Sequence, residues 1–400
     1  MDGSVGRDRI TDVMKVNDRM LIRVAPFGMD FGFGIYSLAA PLVLIELQAS
    51  PVELGLVGTL TASVHMGMAH FMGRLSDRLG RRPLIIVAPL LFCVSCLLML
   101  ILRRVGLILT LSVMNGLCFS IFWPCFMAWI ADRLTKGNFL RDLGSFNLSW
   151  TSASLIGPIV SGFLYGLHPR LPFALGAALA LMVFFIVWTS LQDEKVPFSD
   201  EERSAPPEIP NGRMRMLYGA WVANFVSFFM ISNARYQFPK LARELHFPSH
   251  LVGLILGCIG FALFTGFFIL RKSDRWHFKK SFLVSSHALA VVGLLLIYFS
   301  TKPLFFALAI TLVGLSASVT CYSSQFYVMH LMKRKGKGTG LNESIVGAGA
   351  LSGPILGGIA AQFYGLRAPY LLCLVVLLVA VIVEIVLLKR VDTHAVGSQN

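Results

Sequence analysis

Asp30 is a carboxylate in a run of otherwise apolar residues, with Gly28, Gly32 and Gly34 around it. Ionisable side chains at membrane depth are costly and so become functional candidates by default. Asp30 lies roughly 10 Å inside its run at about 1.5 Å per helical residue. It either binds a cation or a proton, faces a wet vestibule, or pairs within a bundle. Arg235, beside Asn233 and Tyr236, carries the opposite charge, and either attracts an anionic group or snorkels to the outer surface. His65 and His70 are five residues apart and fall on different helix faces, so they make no two-ligand metal site. Glu343 reads as an acid in the first turn of a helix, where free backbone N–H groups favour negative charge. Glu384 reads as an acid near an interface. Cys93 and Cys96 have redox spacing, yet all seven cysteines sit in apolar runs as small hydrophobes. A converging nucleophile and base, a metal cluster and a Gly-rich loop ending in Lys-Ser/Thr are missing from the sequence. An enzyme, a resident cofactor or metal, and ATP as energy source are therefore not expected.

The elements that position these residues follow from composition. Of 400 residues, 56% are hydrophobic and 14% charged, more apolar side chain than a soluble core of this length holds. A bilayer-spanning helix needs about 20 apolar residues, and twelve such runs recur from Val24–Leu44 to Leu366–Leu388. The reading is an all-α integral membrane protein of twelve transmembrane helices in two six-helix bundles. Residues 1–20 form a polar amino-terminal segment without a cleavable signal, 21–191 the first bundle and 192–213 a linker holding Pro206, Pro207 and Pro210. Residues 214–390 form the second bundle and 391–400 a tail. The net charge of +14 does not call for nucleic acid, because most Lys and Arg residues cluster at alternate helix ends, the positive-inside pattern. This expects both termini in the cytosol and the chain in a plasma or inner membrane.

The two halves repeat. Pro41, Glu46, Leu47 and Gly55 match Pro239, Glu244, Leu245 and Gly253 at one constant spacing. Ser76, Asp77 and Arg78 match Ser273, Asp274 and Arg275 at a spacing one shorter. Gly144, Gly157, Pro158 and Gly162 match Gly340, Gly353, Pro354 and Gly358 at one shorter again. A six-helix unit duplicated in one orientation places the halves about an axis along the membrane normal, with a site between them near the midplane. The stripes Gly144, Ala153, Gly157, Pro158, Ser161, Gly162 and Gly340, Gly349, Gly353, Pro354, Gly357, Gly358 suit close helix packing, and their prolines bend the rod.

The stretch Gly73-Arg-Leu-Ser-Asp77-Arg78-Leu-Gly80-Arg81-Arg82, placed in the loop between the second and third helices, resembles the signature of the major facilitator superfamily. Glycine, an acid four residues on, Arg, Gly and a basic pair are all present. The resemblance covers roughly residues 20 to 390. It implies a secondary active transporter that rocks two bundles around a central site, binding a small solute and working as a monomer. It implies that Asp77 latches onto the amino end of the eleventh helix when the cytosolic gate shuts, with Arg78 or Arg81 pairing to Asp132. The second copy keeps Asp274 and Arg275 but lacks the Gly-Arg-Arg turn, which implies a weaker latch.

The resemblance also implies a cavity lined by the first, fourth, seventh and tenth helices. Its substrate or proton candidates are then Asp30, Asn115, Ser120, Trp123, Asn224, Asn233, Arg235, Tyr322, Ser323, Gln325 and Tyr327. This mostly uncharged, aromatic set suits an amphipathic organic solute, and efflux is the first expectation. Uptake of a nutrient, or a receptor that has lost transport, are the alternatives. The Gly-Pro stripe resembles an antiporter signature, here complete in the eleventh helix and not the fifth, so it serves either exchange or packing alone. Ser112 stands where drug-proton exchangers of this kind carry an arginine, and the linker lacks the sugar-porter sequence.

Overall fold

The computed structural model describes residues 16–101, 103–133, 139–191, 211–332 and 335–389. Residues 1–15 of the expected amino-terminal segment, most of the linker and the tail lie outside the described residues, and residues 16–20 belong to the first helix, not to a separate segment. Twelve helices account for nearly all of the rest: α1 (Val16–Glu46), α2 (Pro51–Leu79), α3 (Arg81–Ile101), α4 (Val105–Arg133), α5 (Phe139–Leu167), α6 (Leu171–Ser190), α7 (Asn211–Glu244), α8 (Ser249–Leu270), α9 (Lys280–Phe299), α10 (Pro303–Leu331), α11 (Lys335–Tyr364) and α12 (Ala368–Leu388). Ten are long and apolar enough to cross a membrane. The two that fall short are α2 and α5, the helices of the first half that face the second half. A helix shielded from lipid by protein can carry more polar residues.

α1 to α6 pack as one bundle and α7 to α12 as the other, and the halves meet chiefly along α5 with α8 and α2 with α11. Under the sequence repeat α2 corresponds to α8 and α5 to α11, so the two seams are symmetry mates, as an axis along the membrane normal requires. The repeat reaches the backbone. Gln48 and His246, at matching positions, both adopt a left-handed φ of 59°. Each closes its helix through the next amide, Ala49 N–H to Leu44 O at 2.9 Å and Phe247 N–H to Ala242 O at 2.8 Å. Such a left-handed cap is usually glycine's place, so the same mild strain is kept in both copies.

The face where α1 begins and α12 ends is the terminal face, and the face of the α1–α2 and α7–α8 turns is the far face. Toward the far face the bundles touch backbone to backbone. A β-carbon on Gly55 would strike the Pro354 carbonyl, and one on Gly253 would strike that of Pro158. The repeat's own anchors thus meet crosswise in space. At the terminal face Gly73, Gly144 and Gly340 have open space around them. Glycine-to-backbone contacts thus seal the halves toward the far face, and no such contact joins them at these three glycines.

Candidate functional site

On the terminal side of that seal, side chains from both bundles stay partly exposed, Asp30, Trp123, Tyr322 and Gln325 among them, and they outline a vestibule. Asp30, on α1, is partly exposed although it lies mid-helix. It has no hydrogen-bond or ion-pair partner among the described residues, and the Arg235 guanidinium on α7 lies within its electrostatic reach. Snorkelling to the outer surface expects Arg235 at the outer end of its helix. The structure corrects this, for α7 continues to Glu244 and leaves Arg235 roughly 13 Å short of that end. Arg235 reaches across to α5, donating to Ser154 Oγ at 3.5 Å, and so points toward the other bundle.

Aromatic rings wall the space. Phe27 and Phe31 flank Asp30 on α1, 5.5 Å apart. On α4 Trp123 lies 6.2 Å from Phe119 and meets Phe146 of α5 edge-on at 5.7 Å. The His65 ring meets Phe119 edge-on at 6.2 Å, which makes His65 a wall residue. On α10 Tyr322 lies 5.4 Å from Phe267. Gln325 accepts a hydrogen bond from Asn147 Nδ2 of α5 at 3.3 Å, and Asn147 Oδ1 accepts from the Trp150 indole at 3.0 Å.

Other candidates are built into helix packing. Asn233 donates to Gly353 O at 3.3 Å and Asn224 to Ser324 Oγ at 3.0 Å. Tyr327 stacks on Phe278 at 4.8 Å. Asn115 is fully buried in the first bundle, Ser120 bonds to its own helix at Gly116 O, and Ser323 is buried. Asn147 and Trp150 were missed, because the fifth helix was not counted among those lining the cavity. An amide and an indole three residues apart in an apolar helix were the available signal. The pair His287 and Glu384 was missed as well. It joins α9 to α12 with Nε2 to Oε1 at 3.0 Å, away from the vestibule. Glu343 is exposed and lies more than two turns inside α11, which begins at Lys335, so it is not a first-turn acid.

The signature stretch differs from a loop. α2 runs through Ser76, Asp77 and Arg78 to Leu79, and Gly80 alone connects it to α3. Gly80 has a φ of 93°, a conformation that side chains strain to adopt, and its N–H bonds Ser76 O at 3.0 Å. Arg81 bridges back to Asp77 at 2.5 Å and to Ser76 Oγ at 2.5 Å. Arg82 reaches the Trp188 carbonyl at the end of α6, at 2.9 Å. Asp77 and Arg78 are exposed. The side chain of Asp132 lies outside the described residues.

The second copy is a true loop, residues 271–279. There the Trp276 indole bonds Leu270 O at 2.9 Å, and His277 stacks on Phe326 of α10 at 4.0 Å. An aromatic clasp replaces the glycine-and-arginine turn. Burial holds the His277 imidazole below its ordinary range, with Asp274 at 3.6 Å opposing the shift. Arg275 is exposed.

The paired glycine stripes serve two faces each. Gly157 packs on Gly34 of α1, while Pro158 and Gly162 face α8. Gly349, Gly353 and Gly357 pack on Phe225, Phe229 and Asn233 of α7, while Pro354 and Gly358 face α2. One stripe therefore ties its helix into its own bundle and presses it against the other.

The family model described as Major Facilitator Superfamily matches residues 24–218 and 220–399. The chain is 25% identical over 339 residues to multidrug resistance protein 1 of Bacillus subtilis (strain 168), covering 82% of this chain and 85% of that protein. It is 23% identical over 378 residues to quinolone resistance protein NorA of Staphylococcus aureus (strain N315), covering 92% and 95%. Among solved structures, a bacterial homolog of the human lysosomal transporter Spinster, in an inward-facing and occupied conformation, superimposes with a TM-score of 0.74. Its identity is 14%, over 96% of this chain and 98% of that one. The nucleoside transporter NupG superimposes with a TM-score of 0.67 at 13% identity, over 93% and 99%.

Proposed function

Because this chain belongs to the Major Facilitator Superfamily, we propose that it exports small amphipathic organic compounds across the membrane by alternating access. The observation that carries this reading is the vestibule. Rings from α1, α4 and α10 supply apolar contact, and one carboxylate, Asp30, and one guanidinium, Arg235, supply orientation. Few, well-placed polar groups on an aromatic wall suit a ligand with an oily body and a polar tip. That two relatives are by name drug-resistance proteins supports efflux. In this reading the terminal face is the cytosolic one, the membrane is the plasma or inner membrane, and the chain works as a monomer and not as an enzyme.

A thermal-shift screen on purified protein tests the substrate class. A bound amphipathic aromatic compound at a hundred times its Kd adds about 2.7 kcal/mol of stability by mass action. Stabilisation by sugars alone would overturn the reading.

Asp30 is the proposed proton carrier, since a carboxylate at depth without a fixed partner can gain and lose a proton as the gate turns. Asp30→Asn is expected to abolish flux driven by a pH gradient while leaving ligand binding measurable. Unchanged proton dependence in reconstituted vesicles would remove Asp30 from the mechanism.

Asp77 is the proposed cytosolic latch, which engages the amino end of α11 when the terminal face closes. Asp77→Asn should leave the protein inserted and slow flux up to about tenfold, the size of a charge interaction at a helix terminus. Normal flux at normal expression would exclude the latch.

A further inference from the structure

The two seams that seal the far face are alike in backbone and unlike in side chains. Along α5 and α8 the contact is bare: Gly253 faces the Gly162 Cα, where an added β-carbon would sit 3.1 Å away, and Gly257 faces Ile159 and Leu155. No side-chain hydrogen bond crosses this seam among the described residues. Along α2 and α11, Thr59 Oγ1 donates to Leu351 O at 2.8 Å. The Gln237 amide of α7 donates to two carbonyls at once, Pro51 O on α2 and Pro354 O on α11, each at 3.1 Å. One turn further out, Lys240 Nζ donates to Ala49 O in the α1–α2 turn.

The glycines make the Gln237 bridge possible. A β-carbon on Gly55 or on Gly358 would come within 3.1 Å of Gln237 Nε2, so the amide fills a notch that only these two residues leave open. The notch has no copy across the axis. At the repeat's constant spacing, Ala39 stands where the second half has Gln237, and Leu42 where it has Lys240. α5 and α8 stay together from Ser249 near the far face down to Phe267, whose ring lies 6.0 Å from that of Trp150. Along α2 and α11 the glycine contacts run from Pro51, at Gly358, to Met66, at Gly347.

The geometry points to an asymmetric far gate: Gln237, helped by Lys240, is the positioning residue that locks the α2–α11 seam, and the α5–α8 seam is the pivot on which the bundles turn. Opening toward the far face breaks the Gln237 and Lys240 bonds to α2 and its turn, whereas α5 and α8 slide on bare glycine contacts. Among the described residues the directional contacts of α5 with the second bundle are two long ones, Arg235 to Ser154 Oγ at 3.5 Å and Asn147 to Gln325 at 3.3 Å. The same carbonyls then need other donors, which water supplies once the seam is wet. This inference rests on alternating access and on no particular substrate.

The test reads the seams directly in protein reconstituted into lipid nanodiscs. Single reporter cysteines are placed at Val52 (α2–α11) and Ile159 (α5–α8), in a background whose native cysteines are replaced, and a membrane-impermeant maleimide is added. Gln237→Leu is expected to raise labelling of the Val52→Cys reporter by about three- to tenfold, the factor that one net hydrogen bond sets. Labelling of the Ile159→Cys reporter should stay within about twofold. Lys240→Met, at the rim of the seam, gives the same pattern at smaller amplitude and guards against misfolding of the buried variant. Unchanged labelling at Val52 in both variants, or an equal rise at both reporters, would overturn the asymmetric lock. Because no ligand is used, a wrong substrate class leaves this result untouched.

Discussion

Gly253→Leu is expected to cut flux by ten- to a hundredfold or more while the protein still inserts. The β-carbon alone would strike the Pro158 carbonyl and come within 3.1 Å of the Gly162 Cα. These are backbone atoms of a helix held against α1 through Gly157 and Gly34, so the neighbour cannot rotate away. Overpacking a tight contact costs about 1–3 kcal/mol for small additions, and leucine adds three further carbons. Every ~1.4 kcal/mol against the sealed state is a tenfold change in its population. The variant is held with its far seam ajar and cycles poorly. Gly106→Leu is the control, because Gly106 has open space around it and should keep wild-type flux. Initial rates of dye flux in reconstituted vesicles decide the matter. Wild-type rates for Gly253→Leu would mean that the halves do not close on this seam.

Glu384→Ala is expected to destabilise the second bundle by about 1–3 kcal/mol, the usual cost of leaving a buried hydrogen-bonding group without its partner. Glu384 is 0% and His287 1% exposed, and the imidazole meets both carboxylate oxygens, at 3.0 and 3.2 Å. The position is not accidental. The buried residues of α12, Pro369, Tyr370, Cys373, Leu377, Ala380, Glu384 and Leu388, recur every three or four residues, so Glu384 belongs to the stripe that packs inward. Removing it leaves the imidazole facing a small cavity in a low-dielectric interior. Exchanging both partners for leucine should recover most of the loss, because a buried pair replaced by packed apolar side chains is often neutral or better. Chemical unfolding in detergent, with the single variants and the double variant side by side, measures it. Additive losses in the double variant would mean that the two side chains do not act as a pair.

Membrane character, the duplication and the signature stretch were legible in the order of residues, because each is written in local signals. About 20 apolar residues must form a helix in lipid, where a bare backbone has no other partner. Repeated Pro, Glu and Gly at one spacing survive as text. The rotation of each helix about its axis was not legible. In a soluble helix the polar stripe marks the wet face, but here lipid and bundle core are both apolar, so residues such as Asn115, Asn233 and Tyr327 look the same whether they line a vestibule or tie helices together. Only packing against helices distant in the chain decided that Asn233 serves Gly353 and that Tyr327 serves Phe278. The same holds for the contacts that matter most between helices far apart in the chain. Nothing near Gln237 in the sequence names Pro51 as its acceptor. Nothing near Asn147 names Gln325, and nothing near His287 names Glu384. The sequence by itself determined which segments cross the membrane and that they do so twice over. The tertiary structure decided which faces meet, because in a solvent as oily as the side chains it is shape and hydrogen bonding that choose partners.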